Sequence, residues 1–263
     1  MPRRPPAPHP LAREAVPGRA REALPALVRE AVLDAAAVVL PVSCAGCGAD
    51  GRSVCRECLA ALAPQPLAPL TLDAANLAGS TVSVTASARY ERVMRAVIVA
   101  VKENGRRDAA TPVALALAAS VHRALEGVRV DAGAPAIEIA MVPSSASAYR
   151  ARGFDPVALL VRRGGLPGPA RVLRRARSTV AQKSLDSAAR ARNAHGSLAA
   201  RSRLDGRFFL LVDDVVTTGS TLAEATRAIT AAGGNVVAAA AAAATPRRSS
   251  NTRASDDITV SGD

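Results

Sequence analysis

The sequence predicts an α/β protein: an open, mainly parallel sheet with helices on both faces, preceded by a small four-cysteine module. Three observations predict it. Short apolar runs alternate with helix-period segments from Ser80 to Ala244. One such run, Phe208–Val212, passes directly into an acidic pair, a turn of small hydroxyl residues and a helix. The chain's only cysteines, Cys44, Cys47, Cys55 and Cys58, form two C-x2-C pairs ahead of all of this.

Composition limits the function classes. Hydrophobic residues make up 49% of the chain but aromatics only 2%, so the core must be Val, Leu, Ile and Ala. Such residues suit helices laid on a parallel sheet. The net charge is +12, and Arg150 to Arg207 holds fourteen basic residues against Asp155, Asp186 and Asp205. A stretch like that favours a polyanion, either a phosphorylated small molecule or a nucleic acid. The few aromatics, Tyr90, Tyr149, Phe154, Phe208 and Phe209, make a poor platform for stacking single-stranded bases. No apolar signal segment opens the chain, and Leu24–Leu40 is broken by Arg29, Glu30 and Asp34, so a cytoplasmic protein without membrane insertion is expected.

Along the chain, residues 1–23 read as a disordered lead. Residues 24–62 read as a helix stopped by Pro41, followed by the cysteine module. A Pro-rich connector covers Ala63–Ala78, and the main domain runs over 79–245. Within it, Ser80–Ala88 alternates as a strand, while Glu91–Lys102 and Thr111–Leu125 have helical spacing. Ile137–Val142 is a strand ending in a Pro-Ser-Ser loop, Phe154–Arg163 a helix and Val172–Leu173 part of a short strand. Ser178–Ala200 is polar and weakly periodic. Ser220–Ala232 is a helix closed by Gly233 and Gly234. Val236–Ala244 is alanine-rich, which favours helix, but its short length and the helix–strand alternation predict a buried strand. Residues 246–263 read as a disordered tail.

Phe208–Ala225, FFLLVDDVVTTGSTLAEA, carries the chemistry. Ligands of open α/β sheets sit at the carboxyl ends of strands, and a helix start offers free N–H groups to a phosphate. Gly219 permits a tight turn, and Val216, Thr217, Thr218, Ser220 and Thr221 surround it with N–H and hydroxyl donors. Asp213 and Asp214 repel phosphate; they suit sugar hydroxyls or a divalent cation. The stretch has neither the Gly-Lys-Ser/Thr of a P-loop nor a G-x-G-x-x-G. The cysteine pattern C-x2-C-x7-C-x2-C suits a structural tetrahedral zinc, with two disulfides, a redox pair and an iron–sulfur cluster as alternatives.

The loop resembles the phosphoribosyl pyrophosphate (PRPP) motif of type I phosphoribosyltransferases, and the four cysteines ahead of it make the chain similar to the ComF family over about Leu40 to Thr245. The resemblance rests on LPVSCAGCG, on Tyr90 with Lys102 and Gly105, and on YRARGFDP, where Asp155 and Pro156 replace the family's Asn-Gln. It also rests on Leu173, Arg175, Arg177, Thr179, Gln182, Leu185, Arg190, Asn193 and Gly196. It implies that Asp213 and Asp214 hold the ribose hydroxyls and that Val216–Thr221 cradles the 5-phosphate. It further implies that Pro143, Ser144 and Ser145, helped by Arg150 and Arg152, hold pyrophosphate. Thr179–Gly196 becomes a lid candidate whose Arg190 reaches the pyrophosphate, Lys102 a weaker site candidate, and Mg2+ accompanies PRPP. Phosphoribosyl transfer to a nitrogen nucleophile is then the leading activity. The alternatives are a PRPP sensor without turnover and a DNA-uptake accessory that binds single-stranded DNA or a DNA-handling partner.

Overall fold

The computed structural model describes residues 42–73, 81–129, 135–176 and 196–245. The expected lead, the helix over 24–40, the tail, Arg177, Arg190 and residues 179–195 of the lid candidate lie outside them.

Five strands build the main sheet: β1 (Leu70–Asp73), β2 (Thr81–Ala86), β3 (Ile137–Met141), β6 (Phe208–Val216) and β7 (Asn235–Ala244). Two short strands, β4 (Leu173–Arg175) and β5 (Leu198–Ala200), pair separately with each other. The order in the main sheet is β1-β2-β7-β6-β3, parallel throughout except for the antiparallel edge strand β1. The helices are α1 (Arg56–Ala61), α2 (Arg92–Glu103), α3 (Ala110–Glu126), α4 (Ala146–Arg152), α5 (Pro156–Arg163) and α6 (Ser220–Thr230).

Successive side chains of a strand point to opposite faces, so a strand covered on both sides must be apolar without interruption. β6 and β7 are built this way. Leu210, Val212, Ala238, Ala240 and Ala242 join α2, α3 and α5 in one core. Phe209, Leu211, Ala239 and Ala241 join α6 and the β4–β5 hairpin in the other. Ala238–Ala244 is thus the strand that the helix–strand alternation predicts, not the helix that alanine propensity favours. Tertiary burial on two faces outweighs a propensity of a few tenths of a kcal/mol per residue. β7 also holds one extra residue, Val237, where its register against β6 shifts.

The hairpin is pinned to α6 by a buried ion pair. Glu224 accepts the Leu198 N–H at 3.0 Å and the Arg227 Nε–H at 2.7 Å, while Arg227 Nη2 donates to the Leu198 carbonyl at 3.0 Å. The expected short strand at 172–173 is therefore real but stands outside the main sheet. Two elements differ from expectation. The connector contains β1, and the loop after β3 contains α4, capped by Ser145 and closed by Gly153 at φ 71°. Helix α4 buries none of its residues, so no apolar stripe marks it in the sequence.

The small side chains of β7 let α3 lie close on the sheet. Ala240→Leu should overpack that face and destabilise the protein by about 1–3 kcal/mol, read as a lower urea midpoint. An unchanged midpoint would show that α3 is not closely seated there.

Candidate functional site

The site sits where the chain's connections diverge. The segment after β3 goes to the face that α5 covers, whereas the segment after β6 goes to the opposite face, under α6. Adjacent parallel strands whose connections part in this way leave a crevice beyond their carboxyl ends. Pro143–Ser145 and Thr217–Thr221 flank it.

On the β6 side, Asp213 and residues 215–222 line a small open concavity. Gly219, with φ 79° and ψ 1°, turns the chain into α6 and has no side chain to cap it. The Ser220 N–H donates to Thr218 Oγ1 at 3.4 Å, and the positive end of the helix dipole lies at the concavity. Thr218 Oγ1 and Ser220 Oγ lie 3.1 Å apart at its rim.

The acidic pair is divided between the two faces of β6. Asp213 is half-buried and lines the concavity, with its Oδ1 accepting the Asp214 N–H at 2.8 Å. Asp214 is buried and faces α2, where Lys102 Nζ lies 3.1 Å from Oδ1 and 3.0 Å from Oδ2. Burial, then the charge of Asp214, push the Asp213 carboxyl up to about 8, against the opposing Asp214 N–H and Lys102. Burial works against the Lys102 charge. The charge and hydrogen bond of Asp214, then Asp213 and Tyr90, outweigh it and raise its pKa.

Across the crevice, Pro143–Ser145 is held by its neighbours. Ser144 N–H donates to Asp155 Oδ2 at 3.2 Å, Ser145 Oγ accepts the Ala148 N–H at 3.1 Å, and Arg175 Nε donates to the Pro143 carbonyl at 3.1 Å. Arg152 reaches both Ser144 Oγ, at 3.4 Å, and the Lys102 carbonyl, at 3.5 Å. Its Nε is buried without a partner among the described residues. Asp155 is also the cap of α5, accepting the Ala158 N–H at 3.2 Å, with Pro156 at the first helical position. Those two residues thus have a structural role of their own. Arg150 is exposed on α4.

The four cysteine Sγ atoms all lie within 4.8 Å of one another. A tetrahedral zinc with bonds of about 2.3 Å needs sulfurs roughly 3.8 Å apart, and Cys47 and Cys55 stand at 3.6 Å. Cys44 Sγ accepts the N–H groups of Gly46 and Cys55, both at 3.3 Å, which suits a thiolate ligand. Burial raises the Cys44 thiol, but the N–H groups of Cys55, Cys47 and Gly46 outweigh it and bring it down to about 6. Burial and the neighbouring cysteines push Cys58 the other way. Four thiols sharing one small volume cannot all ionise without a cation, and a zinc ion held by all four would supply it. The donor set fits.

This knuckle is built into the main core. Cys44, Val54, Cys58 and Leu62 share one hydrophobic cluster with α2 and α3. Gly46 is required by close approach, since a Cβ there would stand 2.7 Å from Cys58 Sγ and 2.9 Å from Val93. Arg106, just beyond α2, donates to the Ser43 carbonyl at 3.0 Å.

The structure therefore brings Asp213 together with the 216–221 turn, and Pro143–Ser145 together with Arg152. It separates Asp214 from Asp213 and gives it to Lys102. Lys102, a weaker candidate in the sequence, meets Asp214, and Arg175 holds the Pro143 carbonyl. Among the described residues no helix is long and apolar enough to cross a membrane.

Residues 153–262 match the family model of the phosphoribosyl transferase domain. That stretch contains α5, β4 to β7, α6, the acidic pair and the turn, but not Lys102, the Pro143–Ser145 loop or the cysteines. A phosphoribosyltransferase-like domain thus stands on the mostly parallel five-stranded sheet, with the four-cysteine cluster ahead of it. No curated protein matches the chain.

Two outcomes follow from the site's electrostatics and packing. A carboxyl raised in the folded state favours folding fully below its unfolded pKa of about 3.9 and loses that contribution as pH rises toward the folded value. Asp213→Asn should therefore match the parent Tm near pH 4 and exceed it by a few °C at pH 8. A gap of the opposite sign across a pH-resolved melting series would show Asp213 to be ionised and stabilising. Stripping zinc with a strong chelator should lower Tm by more than about 10 °C, because structural zinc contributes on the order of 10 kcal/mol. Protein isolated with four titratable thiols, no zinc and an unchanged Tm would refute the metal assignment.

Proposed function

We propose that the chain binds PRPP at this crevice and transfers its phosphoribosyl group to a nitrogen nucleophile, releasing pyrophosphate. The observation that carries the reading is the concavity in which the Asp213 carboxyl group lies with a helix start lined with hydroxyls. One end of such a site suits a sugar diol and the other a phosphate dianion.

In this reading, Val216, Thr217, Thr218, Gly219, Ser220 and Thr221 hold the 5-phosphate through N–H and hydroxyl donors. Asp213 accepts from the ribose hydroxyls, with Asp214 behind it. Pro143, Ser144 and Ser145 flank the pyrophosphate together with Arg150 and Arg152, whose guanidinium reaches Ser144 Oγ. Arg190 keeps its proposed pyrophosphate role, although it lies outside the described residues. Mg2+, when bound with PRPP, supplies charge neutralisation on the diphosphate oxygens.

The bond from ribose C1 to the pyrophosphate oxygen breaks, with its electron pair leaving on pyrophosphate, and a bond from nitrogen to C1 forms. The nucleophile then sheds its proton. The residues named here hold both ends of the ligand still and place positive charge where the leaving group gathers negative charge. A second reading has an observation of its own. Arg150, Arg171, Arg174 and Arg175 are exposed, which suits a ComF-type accessory role on single-stranded DNA.

Calorimetric titration with Mg2+–PRPP should show saturable binding that Asp213→Asn weakens on the order of 10-fold, the worth of one or two hydrogen bonds from the sugar hydroxyls. A folded, zinc-loaded parent protein that ignores PRPP but retains single-stranded DNA in a salt-dependent manner would replace the first reading with the second.

A further inference from the structure

Lys102 is the one cation whose ammonium touches the acidic pair among the described contacts, and it does so with both oxygens of Asp214. The Lys102 carbonyl accepts from Arg152, which also reaches Ser144. The helix of Lys102 ends at the next residue, Glu103, before the turn whose Arg106 donates to the Ser43 carbonyl of the cysteine knuckle. The Lys102 side chain keeps 35% of its surface open while Asp214 keeps only 5%. The ammonium thus lies against a buried carboxylate while about a third of its own side chain stays open.

A buried carboxylate beside a ligand site needs a compensating cation, and a divalent ion is one way to supply it. Here a tethered monovalent cation already lies at hydrogen-bond distance from the buried member, leaving the pair at most one net negative charge. Resting on the PRPP reading of the crevice, we propose that Lys102 is a positioning residue that serves as the fixed cation of the acidic pair. It takes the place a divalent ion would occupy there, so the pair receives the sugar diol without a metal of its own. Any metal that arrives with the substrate is then carried by the diphosphate.

The arrangement makes Lys102 more than a stabilising contact. It fixes Asp214, whose N–H in turn orients the Asp213 carboxylate that lines the concavity. Its raised pKa keeps it charged through the neutral range, so the substitution for a metal does not lapse near pH 7.

The experiment needs no substrate in its first arm. Zinc-loaded full-length protein is titrated with Mn2+ and followed by electron paramagnetic resonance. The parent should show no tight Mn2+ site. Lys102→Met should gain one, with affinity raised on the order of tenfold or more, and Lys102→Met/Asp214→Asn should lose it again. A tight site already present in the parent and abolished by Asp214→Asn would overturn the proposal, as would a folded Lys102→Met that gains none. If Lys102→Met does not fold, Lys102→Gln carries the same comparison, with zinc content and far-ultraviolet circular dichroism confirming its fold. The second arm measures ribose 5-phosphate, which lacks a diphosphate to carry metal. The parent should bind it equally with and without Mg2+, and Lys102→Met only with Mg2+. Binding to the parent that requires Mg2+ would overturn the inference. A parent that gives the expected Mn2+ result but binds no ribose 5-phosphate would instead overturn the PRPP reading and leave the fixed cation standing.

Discussion

The period of a β-strand governs this molecule more than any single contact. Residues two apart share a face and neighbours do not, so an adjacent acidic pair at the end of a strand cannot act as a simple pincer. On β6 the rule that sends Leu210 and Leu211 into different cores sends Asp213 and Asp214 to different sides. One carboxylate opens onto the turn before α6. The other is driven into the layer occupied by α2, where it needs a counter-ion, because an unpaired buried charge costs several kcal/mol. Lys102 meets that need from 112 residues away in sequence. The divided pair thus gives two chemically different carboxyls: a paired Asp214 and an Asp213 whose pKa burial raises.

The same helix explains why the cysteine knuckle is not a mere appendage. Val93 at one end of α2 touches Gly46 of the knuckle, Arg106 past the other end reaches Ser43, and Lys102 lies between them facing Asp214. A bound metal would fix the knuckle, the knuckle would brace α2, and α2 presents the cation. Stability at the cysteines and charge at the crevice therefore share one rigid element. The sequence reading, which separated a module over 24–62 from a domain over 79–245, had no means of detecting that shared core.

What was legible in the sequence was local. The apolar run into Asp213, the Thr-Thr-Gly-Ser-Thr turn, the helix stop at Gly233 and the cysteine spacing each declare themselves within a few residues. The alanine strand β7 was legible only through its neighbours, since alternation of elements had to overrule propensity. Two kinds of feature escaped. Elements without a buried stripe, such as α4 and the four-residue edge strand β1, leave no periodic trace. Pairings across long sequence separations, such as Lys102 with Asp214, Arg207 with Glu138 or Leu198 with Glu224, depend on a topology that residue spacing does not encode.

The Pro143–Ser145 loop shows how such distant pairings decide chemistry. By sequence it is a small hydroxyl loop offering donors to an anion. In the fold its free groups are largely engaged: Ser144 N–H with Asp155, Ser145 Oγ at the start of α4, the Pro143 carbonyl with Arg175. Each serine Oγ that accepts an internal bond still has its O–H to donate, but a neutral hydroxyl draws an anion less strongly than a guanidinium does. Most of the attraction for an anion on this side must therefore come from the guanidinium groups that hold the loop, and above all from Arg152. That side chain touches the loop and the Lys102 carbonyl at once, and its Nε has no partner among the described residues. One arginine thus links the Pro143–Ser145 loop to the end of α2, the element that also carries the Asp214 counter-ion.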